Sequence, residues 1–149
     1  MPYAEGASYI THAQWCDHLG AETIAAFVGN VAAVDPTEAS AAAARSLLMR
    51  EAASGLVDER ALSVGLAPPL AAGYVTATMR RRVAVIAAHL ATPRVPEFRD
   101  GKGEGPYLAE HDRALAELDQ WAAGVRPGQG DTVEDADAVV VITRPRRGW

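Results

Sequence analysis

The chain has 149 residues, a formal net charge of −5 and 49% hydrophobic residues, which suits one domain of ordinary size. Alanine alone supplies 31 residues, so large apolar side chains are few and the core is thin. Alanine favours helix, and the composition points to a small all-α bundle. No apolar run reaches the roughly 18 residues of a transmembrane helix, so no membrane partner is expected. Met1 to Gly6 carries Glu5 and no basic residue, so no secretory signal is expected. The single cysteine, Cys16, excludes an intrachain disulfide framework and a multi-cysteine zinc site. A reducing cytoplasm, or a particle assembled in one, is the expected compartment. Net acidity argues against wholesale nucleic-acid binding. The 13 arginines against one lysine read as the mark of a GC-rich genome.

Thr11-His12-Ala13-Gln14 has the form of a capping box, with Ile10 and Trp15 placed as its hydrophobic staple. A helix over 12–19 is predicted, closed by Gly20 at a left-handed position. A short helix over 22–28 follows, stopped by Gly29-Asn30. Asp35-Pro36-Thr37-Glu38 is the clearest start signal, with Asp35 as cap and Pro36 at the first helical position. It opens a long helix to about Ser63–Gly65. Ala41, Ala44, Leu48, Ala52 and Leu56 form its apolar stripe, with Gly55 tolerated inside it. Leu66 to Leu70, with Pro68-Pro69, is a rigid non-helical corner.

A helix over 74–91 comes next, with Val75, Met79, Val83, Ile86 and Leu90 as its stripe and Pro93 as its stop. Residues 92–106 read as a loop. The last helix spans 107–123, with Leu108, His111, Leu115, Leu118 and Ala122 on its buried face. The bundle domain is therefore 1–124, with three long and two short helices, the long ones antiparallel and the short ones packed across them. Residues 125–149 form an extended arm. It runs through a Pro/Gly-rich linker, four carboxylates in 131–137, one β-branched strand at Val139, Val140, Val141, Ile142 and Thr143, and the end Arg144-Pro145-Arg146-Arg147-Gly148-Trp149. A lone strand leaves its backbone groups unpaired. Either it adds to a partner's sheet edge, or it folds back on its own bundle, or it is simply floppy.

Few residues carry the pattern of a reactive site. His12 and Cys16 are one turn apart, as metal ligands would be, while His18 falls on another face. Further ligands would have to come from His89 or His111. The pattern favours a half-buried cysteine and surface imidazoles. Cys16 has no thiol-enzyme context. Glu110-His111-Asp112 holds acid–base residue types, but helix neighbours diverge, and His111 reads as a core-edge histidine. Gly101 to Gly105 lacks the Gly-Lys-Ser/Thr ending and the preceding strand of a phosphate loop. Arg80-Arg81-Arg82 reads as a solvated face that pairs with a neighbouring carboxylate, with a DNA-facing role as the alternative.

The layout resembles the head–tail connector (adaptor) proteins of long-tailed phages, of the Mu-like and lambdoid type. Tyr9-Ile10-Thr11 with its helix and glycine break is similar to that family's start. Val57 to Leu62, ending in Ala67-Pro68-Pro69-Leu70, is similar to its long helix and corner. Val83 to Leu90 matches the next core helix, and Asp112 to Gly124 resembles the closing one. The resemblance covers about residues 8–124. It departs at Gly65-Leu66, where the family usually has an aromatic.

The resemblance implies a structural virion protein rather than an enzyme, with no cofactor and no metal. It implies a ring, usually twelve-fold, beneath the portal and above the stopper or head-completion protein, assembled in the host bacterial cytoplasm, with DNA passing through without sequence-specific binding. Val139 to Thr143, Arg144, Arg146, Arg147 and Trp149 would then grip the portal. Two other classes remain open from the residues alone: a helical nucleic-acid-binding regulator with a basic tail, and a His/Cys metal-dependent enzyme.

Overall fold

The computed structural model describes residues 8–29, 41–95 and 105–125. Among them are five α-helices and no strand: α1 (His12–Leu19), α2 (Ala21–Phe27), α3 (Ala41–Ser63), α4 (Ala77–Ala91) and α5 (Leu108–Gly124). The all-α expectation holds for this part of the chain. The expected start of the long helix at Asp35-Pro36, the loop over 96–104 and the arm from Arg126 with its strand lie outside the described residues. None of the five helices is long and apolar enough to cross a membrane.

Local signals place the helix ends. Gln14 N–H donates to the Thr11 hydroxyl while Thr11 N–H donates to Gln14 Oε1, which closes the capping box. Ile10 and Trp15 are both fully buried, as a staple requires. Gly20 takes φ +91° but an extended ψ, so the chain turns straight into α2 instead of ending in a left-handed cap. After α3, Gly65 has φ +85°. Its N–H bonds to Leu62 O, and Leu66 N–H bonds to Ala61 O. That is the paired pattern of a Schellman ending, with Leu66 and Ala61 both buried beside it.

A 3₁₀ turn at Ala72–Tyr74 takes in Tyr74, expected as the first residue of the next helix. The true cap is Thr76, whose hydroxyl accepts from Met79 N–H. α4 gives way at Ala91 to a 3₁₀ turn over Thr92–Arg94, consistent with Pro93 as the breaker.

α4 is the central element and packs against α3, α5 and α1. The pairs Arg82–Glu117 and His89–His111 run in opposite sequence sense, so α4 and α5 are antiparallel. Met79, Val83, Ile86 and four alanines of α4 are buried. Leu90, expected in the same stripe, is instead 38% exposed; the alanines at 84, 87, 88 and 91 fill the seam, and helix packing at their short reach leaves position 90 outside. On α5 the buried residues are Ala114, Leu118 and Ala122, with His111 and Leu115 half-buried and Leu108 at the edge. Trp15 on α1 donates its indole N–H to Ala84 O at 3.0 Å. It stacks on Phe27, which meets Tyr107 edge-on, and this aromatic row ties α1 and α2 to the start of α5.

The stripe expected on α3 is contradicted. Ala41, Ala44, Leu48 and Ala52 are exposed and Leu56 only half-buried. The buried face is Ala42, Ala43, Ser46, Met49, Arg50, Ala53, Ser54, Val57 and Ala61. Ser46, Arg50, Ser54 and Asp58 recur every four residues, and each holds the segment 8–12. His12 Nδ1 meets Ser46 Oγ at 2.9 Å, Arg50 donates to Ile10 O at 3.0 Å, Tyr9 N–H donates to Ser54 Oγ at 2.9 Å, and the Tyr9 hydroxyl donates to Asp58. The same tyrosine oxygen accepts from Leu70 N–H and so fixes the corner after the cis Pro68-Pro69 bond. Burial pushes the Asp58 carboxyl up from its ordinary value, with the Tyr9 hydrogen bond opposing. A polar ladder outcompetes the alanine stripe because buried polar groups are tolerated when bonded.

Two glycines give opposite expectations for one substitution. A Cβ at Gly55 would meet nothing within 4 Å, whereas one at Gly105 would lie 2.8 Å from Thr92 Cγ2. Gly55→Ala is expected to stabilise by about 1 kcal/mol through helix propensity. Gly105→Ala is expected to destabilise by about 1–3 kcal/mol through overpacking against a β-branched buried residue. Thermal unfolding of the two variants side by side checks the sign of each.

Candidate functional site

Residues Val139 to Thr143, Arg144, Arg146, Arg147 and Trp149 lie outside the described residues. The described bundle offers three features with functional potential: a histidine–cysteine pair, a histidine stack, and an arginine-lined cleft beside an exposed apolar helix face.

His12 is fully buried, a correction to the surface imidazole expected there. Ser46 Oγ donates to Ala43 O and accepts from Arg50 Nε. Its single proton is therefore used, and His12 Nδ1–H is the donor between them. Nε2 faces Cys16 Sγ at 3.7 Å. Burial, and Asp17 after it, raise the Cys16 thiol above its ordinary value, against a smaller opposing effect of Arg50. A raised thiol is a poor nucleophile and a poor metal ligand. His18 is exposed and does not join the pair. Among the described residues no group of three or more His, Cys, Asp or Glu is placed to hold a metal.

His89 on α4 and His111 on α5 stack with ring centroids 4.2 Å apart. His111 Nδ1 lies 3.1 Å from Asp112 Oδ1, so the residue expected at the core edge is also paired to its neighbour. His89 Nδ1 is buried without a hydrogen-bond partner. Burial first, and His111 next, hold the His89 imidazole below its ordinary value of 6.5, with Asp112 opposing. The unfolded chain therefore binds more protons here. Stability from this residue is present above the ordinary value and is lost as pH falls below it. His89→Leu is expected to flatten the pH dependence of the urea midpoint between neutral and mildly acidic pH. An unchanged slope would remove His89 as its source.

The basic run on α4 splits three ways. Arg80 donates to Val75 O at 2.9 Å. Arg82 pairs with Glu117 on α5 at 3.1 Å, and Arg113 reaches the other oxygen of the same carboxylate at 3.2 Å. The hydrogen bond from Arg82 is the main cause that holds Glu117 below the ordinary carboxylate range, with the charges of Arg82, Arg113 and Arg81 adding to it and burial opposing. Arg81 is exposed and makes no ion pair among the described residues. Arg81, Arg82, Arg113 and Glu117, with His18, Leu19, Val85 and Glu110, line a cleft of about 390 Å³ between α1, α4 and α5. The pairing of this run with a neighbouring carboxylate follows the sequence expectation. The cleft itself was invisible in the sequence, because its walls come from three separate helices.

On the far side of the bundle core, the outer face of α3 carries Leu48 and Leu62 at 64% and 61% exposure, with exposed Ala41, Ala44 and Ala52 along it. Helical geometry at about 1.5 Å per residue makes that face about 30 Å long. Single exposed apolar residues are ordinary; here Ala41, Ala44, Leu48 and Ala52 form a run of exposed apolar positions, broken before Leu62 by exposed Glu59, and grouped apolar positions are a feature of association surfaces.

The features define the described part of the chain at the level of class, as a small all-α bundle whose distinctive surfaces are an apolar helix face and a charged cleft. The chain matches no family model, no curated protein and no solved structure.

Proposed function

We propose that the protein is a structural head–tail connector of a long-tailed phage-type particle, a ring subunit that links the capsid portal to the stopper and leaves a channel for DNA. The observation that carries the reading is the outer face of α3. Four residues that the sequence marks as a core stripe, Ala41, Ala44, Leu48 and Ala52, stay exposed, and Leu62 is exposed near the end of the same helix, so α3 carries apolar side chains outside as well as inside the bundle. A subunit that packs one side in its own bundle and the other against a neighbour uses such a helix fully. The lateral contacts of a homo-oligomeric ring, twelve-fold in the family the sequence resembles, are that use.

The chain acts without enzymatic chemistry or cofactor in this reading. Its arm attaches to the portal through strand addition by Val139 to Thr143 and through Arg144, Arg146, Arg147 and Trp149, residue types that anchor interfaces. DNA passes without sequence-specific contact, and the site of action is the neck of the virion.

The test is light scattering together with co-sedimentation on portal-bearing, DNA-filled heads. The full chain should form large or concentration-dependent species and bind heads. A variant lacking 139–149 should keep its helical circular dichroism and lose head attachment. A stable monomer that binds no heads, or a dimer that shifts a DNA band, would overturn the reading.

A further inference from the structure

We propose that the cleft between α1, α4 and α5 is the docking site for this chain's own acidic segment 131–137. The inference goes beyond the connector reading and does not depend on it, since it concerns the free subunit.

The cleft has cationic capacity to spare. Arg82 and Arg113 each reach Glu117 through Nε, which leaves their terminal nitrogens for another acceptor, and a guanidinium has five N–H donors. Glu117, bridged by two arginines, is already neutralised. Arg81 adds a whole guanidinium with no ion pair among the described residues, and Arg113 is 82% exposed. Glu110 at the exposed rim is the one opposing charge without an arginine of its own. The occupant therefore has to be anionic, multivalent and narrow enough for about 390 Å³. The −5 charge of the chain argues against a duplex.

The arm meets these demands. Asp131, Glu134, Asp135 and Asp137 put four carboxylates into seven residues, with no basic residue between them. Reach is sufficient. Glu117 lies about 12 Å back along α5 from Val125, at about 1.5 Å per residue. The linker 126–130 extends to about 17 Å, and Pro127, Gly128 and Gly130 suit it to reverse direction. Residues 126–137 offer little apolar area to offset their ordering entropy, so charge has to supply the attraction. Docking by exposed ion pairs is then sensitive to salt.

The experiment uses the full chain with Cys16→Ser and a nitroxide at Thr132→Cys, which keeps all four carboxylates. Paramagnetic broadening of backbone amides is read by NMR. Broadening centred on α4 around Arg81 and on α5 around Arg113 is expected at low salt, with loss to background in 0.5 M sodium chloride. The same loss is expected in Arg81→Glu/Arg113→Glu, and in a second variant with all four carboxylates changed to amides, which leaves the bundle untouched. No broadening at the cleft, or broadening that survives both variants, overturns the proposal. Broadening seen only in a mixture of labelled and isotope-enriched chains also overturns it, because the occupant is then the arm of a second copy. Portal attachment enters none of these readouts, so failure here and failure of the connector reading are separable.

Discussion

Arg50→Met is expected to lower the unfolding free energy by about 3 kcal/mol or more, from the loss of three buried hydrogen bonds donated by a charged group, at about 1.5–3 kcal/mol each. Arg50 is 2% exposed and holds three groups at once. It donates to Ile10 O, to Ala43 O and to Ser46 Oγ at 2.9–3.1 Å. The first belongs to the segment that leads into α1; the other two belong to α3. Methionine keeps the apolar stem and removes every donor, so the loss isolates the guanidinium. Arg50→Lys tests geometry: a point-like ammonium cannot span three acceptors as a planar fork does, and a loss close to that of methionine is expected. Urea unfolding followed by circular dichroism measures both. A loss below about 1 kcal/mol for methionine would show that water replaces the guanidinium and that the ladder is not what docks residues 8–12.

That ladder also explains where the sequence was legible and where it was not. The ends of the elements could be read because they are written locally. Thr11 and Gln14 cap each other, Gly65 supplies a positive φ, and Pro93 halts α4, each within a few residues. The faces of α4 and α5 could largely be read too, since Met79, Val83, Ile86 and Leu118 are large, apolar and periodic. The face of α3 could not. Its rows of alanine are nearly symmetric around the helix, so apolar periodicity carries little direction there. The deciding residues are Ser46, Arg50, Ser54 and Asp58, which a hydrophobic pattern assigns to solvent. Their partners at 8–12 are more than thirty residues away, and only the tertiary fold shows that these polar groups are satisfied. The cleft was illegible for the same reason: Arg82 and Arg113 become neighbours through Glu117 and not through spacing.

The misplaced stripe of α3 leads to the second large effect. If the proposed ring forms through this face, Leu48→Glu combined with Leu62→Glu is expected to leave the subunit as stable as before and to abolish that assembly. Both side chains are more than half exposed, and substitutions at such positions usually change folding stability by no more than about 0.5 kcal/mol. In an assembly the same positions are desolvated. A buried carboxylate without a partner costs several kcal/mol, and two per subunit recur at every contact around a ring. The equilibrium shift is multiplied by the number of interfaces, so loss of assembly should be complete rather than graded. Sedimentation velocity, run beside thermal unfolding of the same samples, separates the two effects. Monomers with an unchanged melting temperature place the subunit contact on the outer face of α3. Assembly at wild-type concentration would show that this face is open to solvent in the ring, and that the neighbours meet elsewhere on the bundle.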